Sequence, residues 1–121
     1  MIGIGIDAVE VDRFRAALAR RPALAGRMFT EGERSHVARS VDPVPRLAAR
    51  FAAKEAVMKA LGVGLGAFGL HDVEVVSAPS GAPSLVLSGR AAALAADRGV
   101  VGWRLSLTHT SRSAQAVAVA L

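Results

Sequence analysis

Apolar and small residues alternate at the N-terminus, Ile2-Gly3-Ile4-Gly5-Ile6-Asp7, and this period of two predicts a β-strand. The isoleucines fall on one face, with Gly3 and Gly5 on the other. Asp7 follows in the glycine phase, which places it at the strand end on the uncrowded face. Residues 12–21 then read as a short basic helix that stops before Pro22. Residues 22–45 are helical and rich in turns, and Thr30 with Glu33 makes a capping box for a short helix there. Pro43 and Pro45 close that stretch and open a long helix over residues 46–61. Gly62, Gly64, Gly66 and Gly69 end the helix and form a loop. Strands over residues 72–77 and 84–87 flank the turn Pro79-Ser80-Gly81, and an alanine-rich helix covers residues 89–98. Two last strands, residues 103–109 and 115–120, are joined by the polar turn Thr110-Ser111-Arg112-Ser113. No repeat, low-complexity tract or linker interrupts the series, so residues 1–121 read as a single α+β domain with a mostly antiparallel sheet.

The long helix separates into four faces at about 100° per residue. Leu47, Phe51 and Met58 form an apolar stripe; Ala49, Ala53, Ala56 and Ala60 form a small-residue face suited to close packing. Arg46, Arg50 and Lys54 line one flank, while Glu55 and Lys59 lie on the other. On spacing alone Glu55 and Lys59 read first as an ordinary helix pair, and the basic row as a solvated face. The sharper reading is a metal-plus-phosphate site. A hard cation such as magnesium takes one or two carboxylates together with waters and substrate phosphates. Asp7 and Glu55 could supply the carboxylates, with Lys54, Lys59 and Arg50 neutralising phosphate oxygens. Spacing alone leaves open whether Asp7 and Glu55 meet.

Composition narrows the picture. Apolar residues make up 52% of the chain but aromatics only 4%, with no tyrosine, so the core must be built mostly of Ala, Val and Leu. Alanine buries little surface, which makes an isolated monomer of this size marginal and a homo-oligomer the expectation. The absence of cysteine excludes disulfides, thiolate metal sites and a thiol nucleophile, and fits a cytoplasmic protein. There is no membrane-length apolar run and no signal pattern. A net charge of +5 implies an acidic partner or an anionic ligand. Nucleic acid is the weakest candidate, because stacking aromatics are scarce and no long Lys/Arg cluster occurs.

The segment Gly62-Val63-Gly64-Leu65-Gly66 follows a helix and lacks Gly-Lys-Ser/Thr, which argues against Rossmann and P-loop motifs. His109 ends a strand and reads as structural or catalytic. His36 and His71 have no metal-ligand spacing with it, so zinc is not expected. No Gly-x-Ser-x-Gly elbow supports hydrolase chemistry.

Three segments together resemble the acyl carrier protein synthase family, the small bacterial type of 4'-phosphopantetheinyl transferase. They are Gly3-Ile4-Gly5-Ile6-Asp7 with Glu10 and Arg13 close behind, Arg50-Phe51-Ala52-Ala53-Lys54-Glu55-Ala56 continuing to Lys59-Ala60-Leu61-Gly62, and Leu105-Ser106-Leu107-Thr108-His109. The resemblance spans nearly the whole chain. It implies an α+β fold, a mostly antiparallel sheet packed on a long central helix, and a homotrimer with active sites between subunits. It further implies transfer of 4'-phosphopantetheine from coenzyme A to a serine of an acyl carrier protein. Asp7 and Glu55 would ligate magnesium, and Lys59 would contact the phosphates near the reacting centre. Arg46, Arg50 and Lys54 match basic positions around the coenzyme A phosphates, and Gly62, Gly64 and Gly66 would lie near the nucleotide. His109 and Thr110 would come from the neighbouring subunit. Arg13, Arg20, Arg21 and Arg27 would face the acidic carrier protein. Some family members carry an acidic residue after the histidine, where this chain has Thr110. The acceptor of the serine proton therefore stays open among an ordered or metal-bound water, Glu55 and His109. Two rivals keep the charge without the chemistry: a non-catalytic basic binding module and a nucleic-acid-binding α+β domain.

Overall fold

Two glycines set how closely the main layers approach. In a computed structural model describing residues 1–121, the first strand, β1 (Gly3–Glu10), lies against a 17-residue helix, α4 (Val44–Ala60). A Cβ on Gly3 would fall 2.0 Å from the Ala60 carbonyl oxygen, and one on Gly5 would fall 1.9 Å from that of Ala56. The glycine phase of the N-terminal alternation is therefore the bed on which the alanine face of α4 lies. Gly5→Ala forces a methyl group into a backbone oxygen that no rotamer change can move. A loss of at least about 3 kcal/mol, the upper end of overpacking costs, is expected in denaturant unfolding.

Around this pair the chain runs α1 (Val11–Arg20), α2 (Leu24–Met28) and α3 (Glu31–Val37) before α4. After α4 come a 3-10 turn (Leu70–Asp72), β2 (Val73–Ser77), β3 (Pro83–Leu87), α5 (Gly89–Asp97), β4 (Trp103–His109) and β5 (Ser113–Ala120). The expected antiparallel strands divide into two sheets, a three-stranded one in the order β1-β5-β4 and the hairpin β2-β3. In β5 the buried alanines Ala114, Ala116, Ala118 and Ala120 alternate with the exposed Gln115 and the partly exposed Val117 and Val119. Ala116 and Ala118 join Ala52, Ala53, Ala56 and Val57 of α4 in the larger core cluster.

The isoleucine phase is turned outward. Ile2, Ile4 and Ile6 are 49%, 58% and 63% exposed, and Ile4 and Ile6 pair in register with Val119 and Val117 of β5. On this face of the three-stranded sheet, Ile4, Ile6, Val117 and Val119 form an uncovered apolar strip, while β4 presents Arg104, Ser106 and Thr108 beside it.

Several boundaries differ from the sequence expectation. β1 continues to Glu10, so Asp7 sits in mid-strand, not at its end. The α4 helix starts at Val44, with Pro45 inside its first turn, where the missing N–H is not needed. The 3-10 turn before β2 has no periodic signature and was not anticipated.

The basic row on α4 is not a solvated face. Arg46 is exposed, but Arg50 is 5% exposed and Lys54 fully buried, so the row dives into the protein along the helix. All three ammonium protons of Lys54 are used: Nζ donates to Glu33 Oε1 at 2.8 Å, to the Leu70 carbonyl at 2.8 Å and to the Val73 carbonyl at 2.6 Å. The expectation that Lys54 contacts phosphate is corrected by this geometry. With no free proton and no exposed surface, Lys54 is a buried tie between α3, α4 and β2.

Candidate active site

Asp7 and Glu55 do meet. Continuing the glycine phase of β1, Asp7 faces α4 where Glu55 emerges, and both line one cavity of about 460 Å³. Burial first and the charge of Asp7 second hold the Glu55 carboxyl above its ordinary range, with Lys59 opposing. Lys59 Nζ donates to Asp7 Oδ1 at 3.0 Å and to the Ile6 carbonyl at 2.9 Å. Phe14 and Phe51, stacked with centroids 5.7 Å apart, wall the cavity on its apolar side, and Arg13 lies at its rim.

This donor set fits a hard divalent cation. Two carboxylates from facing elements repel each other, and a dication between them relieves that repulsion. No cluster of three or more His, Cys, Asp or Glu side chains is present, which leaves part of an oxygen-rich coordination sphere for water and phosphate.

A second cavity, of about 380 Å³, is built from Arg46 and Arg50 of α4, His36 of α3, His109 at the end of β4, and the turn from Ser77 to Pro83. Its chemistry is cationic. Burial lowers the Arg50 guanidinium from its ordinary value, Glu33 opposing and Arg46 adding to the shift. Arg50 Nη1 reaches the Arg46 carbonyl at 3.3 Å, while its buried Nε has no partner. His36 is also held below its usual value, by partial desolvation first and then by Arg50, Arg39 and Arg46. A concave site with two arginines, two imidazoles and an unused buried donor is suited to a phosphate-bearing ligand.

The two cavities share no lining residue. Glu55 is about 140° around α4 from Arg50 and about 180° from Arg46, so the helix itself stands between them. One chain therefore carries a carboxylate cavity and a cationic cavity on opposite flanks of one helix.

The remaining sequence candidates fall as follows. Gly62 (φ 72°) and Gly66 (φ 96°) take left-handed conformations in an exposed loop beyond Lys59, and a Cβ on Gly64 would meet nothing. Thr110 Oγ1 accepts from the backbone N–H of Arg112 at 3.1 Å and of Ser113 at 3.0 Å, so it builds the β4–β5 turn and does not line the cationic cavity. Arg13, Arg20, Arg21 and Arg27 are all exposed, on α1, the turn after it and α2. His36 and the Ser77–Pro83 turn were missed, because neither has a spacing relation to Arg50 along the chain. Phe51, on the apolar stripe of α4 by periodicity, walls the carboxylate cavity.

Residues 3–120 match the 4'-phosphopantetheinyl transferase superfamily. The holo-[acyl-carrier-protein] synthase of Salinispora arenicola is 50% identical over 120 residues, covering 99% of this chain and 98% of that protein. The crystal structure of the holo-[acyl-carrier-protein] synthase from Neisseria meningitidis superposes with a TM-score of 0.90 at 30% identity, over 100% of this chain and 98% of the other. The synthase from Bacillus anthracis, solved in complex with CoA (3',5'-ADP), gives 0.81 at 32% identity over 98% and 95% of the two chains.

Proposed function

The chain belongs to the holo-[acyl-carrier-protein] synthase family of 4'-phosphopantetheinyl transferases, and from that premise we propose that its two half-sites join between subunits to transfer 4'-phosphopantetheine. The donor is coenzyme A, the acceptor a serine of apo acyl carrier protein, and the leaving group adenosine 3',5'-bisphosphate. The observation that supports this reading is the pair of chemically complementary cavities, one of carboxylates and one of cations, on opposite flanks of α4 with no shared lining residue.

In this reading Asp7 and Glu55 hold magnesium. The ion supplies charge neutralisation to the pyrophosphate and its leaving oxygen. Lys59 sits beside Asp7 and supplies a fixed cation for the phosphate oxygens of the same group. Arg46, Arg50 and His109 of a second copy bind the phosphates of the nucleotide portion, with the Gly62–Gly66 loop close to it. His36 joins them on the cavity wall. Thr110 acts through the turn that presents His109. The serine proton passes to an ordered water near Glu55 and His109, both of which stand at the edge of the joined site. Phe14 and Phe51 exclude water from one side of the carboxylate cavity.

The acidic carrier protein docks on the exposed Arg13, Arg20, Arg21 and Arg27, with Arg13 bridging from that surface to the cavity rim. The uncovered isoleucine face supplies the contact surface of a homotrimer, which also offsets the thin alanine core. No helix is long and apolar enough to cross a membrane. A cytoplasmic enzyme serving carriers of fatty acid or polyketide synthesis fits these features.

Intact-mass spectrometry of an apo carrier protein incubated with the enzyme, coenzyme A and magnesium tests the proposal. The expected result is the gain of one phosphopantetheine, absent with EDTA. No gain on several unrelated carriers, from a folded protein that still binds coenzyme A, would favour a basic binding module.

A further inference from the structure

The cationic cavity takes its walls from α3, α4, the β2–β3 turn and the end of β4, and one carboxylate behind it is tied to the first three. Glu33 lies on α3, one turn before His36. Its Oε1 accepts from the Thr30 backbone N–H at 3.0 Å and from Lys54 Nζ at 2.8 Å, and Lys54 stands one turn beyond Arg50 on α4. Its Oε2 accepts from the Val75 N–H at 2.9 Å, just before β2 enters the Ser77–Pro83 turn. Glu33 is 1% exposed, so water cannot replace any of these bonds. Thr30 adds a further tie through Oγ1, which donates to Glu74 Oε2 at 2.6 Å.

The charges are as specific as the bonds. Lys54 and Arg50 are both buried cations, and Glu33 is the acidic group whose charge supports each of them. Arg50 lines the cavity with an unpartnered Nε, so its placement depends on what lies behind it more than on bonds of its own. A plain stabilising ion pair would need neither the bond to Val75 nor proximity to Arg50.

We propose that Glu33 is a positioning residue for the nucleotide half-site: through Lys54 and Val75 it sets the spacing of α3, α4 and the β2–β3 turn, and its charge holds Arg50 at the cavity wall. The proposal rests on the reading that this cavity binds nucleotide phosphates. A misplacement of this kind loosens binding without touching the groups that do the chemistry.

Two variants separate positioning from stability. Glu33→Asp keeps the counter-charge for Lys54 but is one methylene short of its three partners. The double variant Glu33→Gln/Lys54→Met removes both charges at similar volume, a change that buried pairs often tolerate. Each is examined by circular dichroism and, where folded, by titration calorimetry with adenosine 3',5'-bisphosphate and by steady-state kinetics. At least one folded variant is expected to bind the bisphosphate about 10-fold more weakly. KM for coenzyme A should rise in parallel, with kcat at saturation changing less. Wild-type affinity in the folded variants, or kcat falling while affinity is kept, overturns the proposal and leaves Glu33 a stabilising residue. Arg50→Ala is the control for the underlying reading. If it leaves bisphosphate affinity unchanged, the cavity is not the nucleotide site, whatever the Glu33 variants do.

Discussion

Glu55→Gln is expected to abolish transfer and, in the same protein, to raise the melting temperature at neutral pH. The loss should be at least about 10²–10³-fold, the range found when one preorganised charge-stabilising group is removed. The gain in stability comes from the same environment. Partial burial and the nearby Asp7 hold the Glu55 carboxyl above its ordinary value, so the folded state binds that proton more tightly than the unfolded chain does. Between the unfolded and folded values, stability therefore falls as pH rises, and above both the ionised group remains a net cost. Glutamine keeps the shape and removes that cost. Wild-type stability measured across the acid range should show the matching slope, and Glu55→Gln should flatten it. The catalytic profile has the opposite sense. Glu55 must be ionised to donate to a cation, so protons and magnesium compete for it: transfer at limiting magnesium should fall on acidification and recover as magnesium is added. A Glu55→Gln protein that still transfers sinks the carboxylate-pair reading. One that is inactive but less stable than wild type shows that Glu55 supports the fold as well.

Much of this arrangement was legible in the chain, and its failures share a cause. Periodicity assigns a residue to a face, and the faces assigned to α4 are correct: the alanines meet β1, while Arg50 and Glu55 emerge on different flanks. Periodicity does not report depth. Arg46, Arg50 and Lys54 share one flank, yet the neighbouring α3 and β2 cover its far end, so the row passes from solvent to core within two turns. The partner of Lys54 was also in view, because Glu33 was identified as the acidic member of a capping box. Nothing local indicated that the same carboxylate would accept from α4 and β2 at once. Asp7 keeps the phase that the alternation predicts but lies in mid-strand, because the strand extends to Glu10 through residues with weak alternation. His36 could not be found from spacing: its relation to Arg46, Arg50 and His109 exists only after α3, α4 and β4 pack together. Alternation also puts the isoleucines on one face, and in the single chain that face is exposed; the expectation of an oligomer rests on the alanine-rich composition instead.

That face gives the second large effect. Ile6→Glu places a charge in the uncovered apolar strip, at a side chain that is 63% exposed in the single chain. The expected result is a protein folded by circular dichroism, monomeric by sedimentation, and with transfer reduced to background, because in the proposed arrangement the two cavities of one monomer face apart and each needs a second copy. An active monomer would show that one chain closes the site unaided. Loss of assembly alone could still inactivate the enzyme indirectly, so the shared site needs its own test. Glu55→Gln disables the carboxylate half and Arg50→Ala the cationic half, each leaving the other half intact. Mixed at equal amounts and allowed to exchange subunits, the two inactive proteins should regain activity. A junction works only when its Glu55 comes from the Arg50→Ala chain and its Arg50 from the Glu55→Gln chain, which random assembly around a closed ring gives at roughly a quarter of the junctions. Sites confined to one chain would regain nothing at any mixing ratio. Recovery near a quarter thus identifies the opposite flanks of α4 as the two walls of a single intersubunit active site.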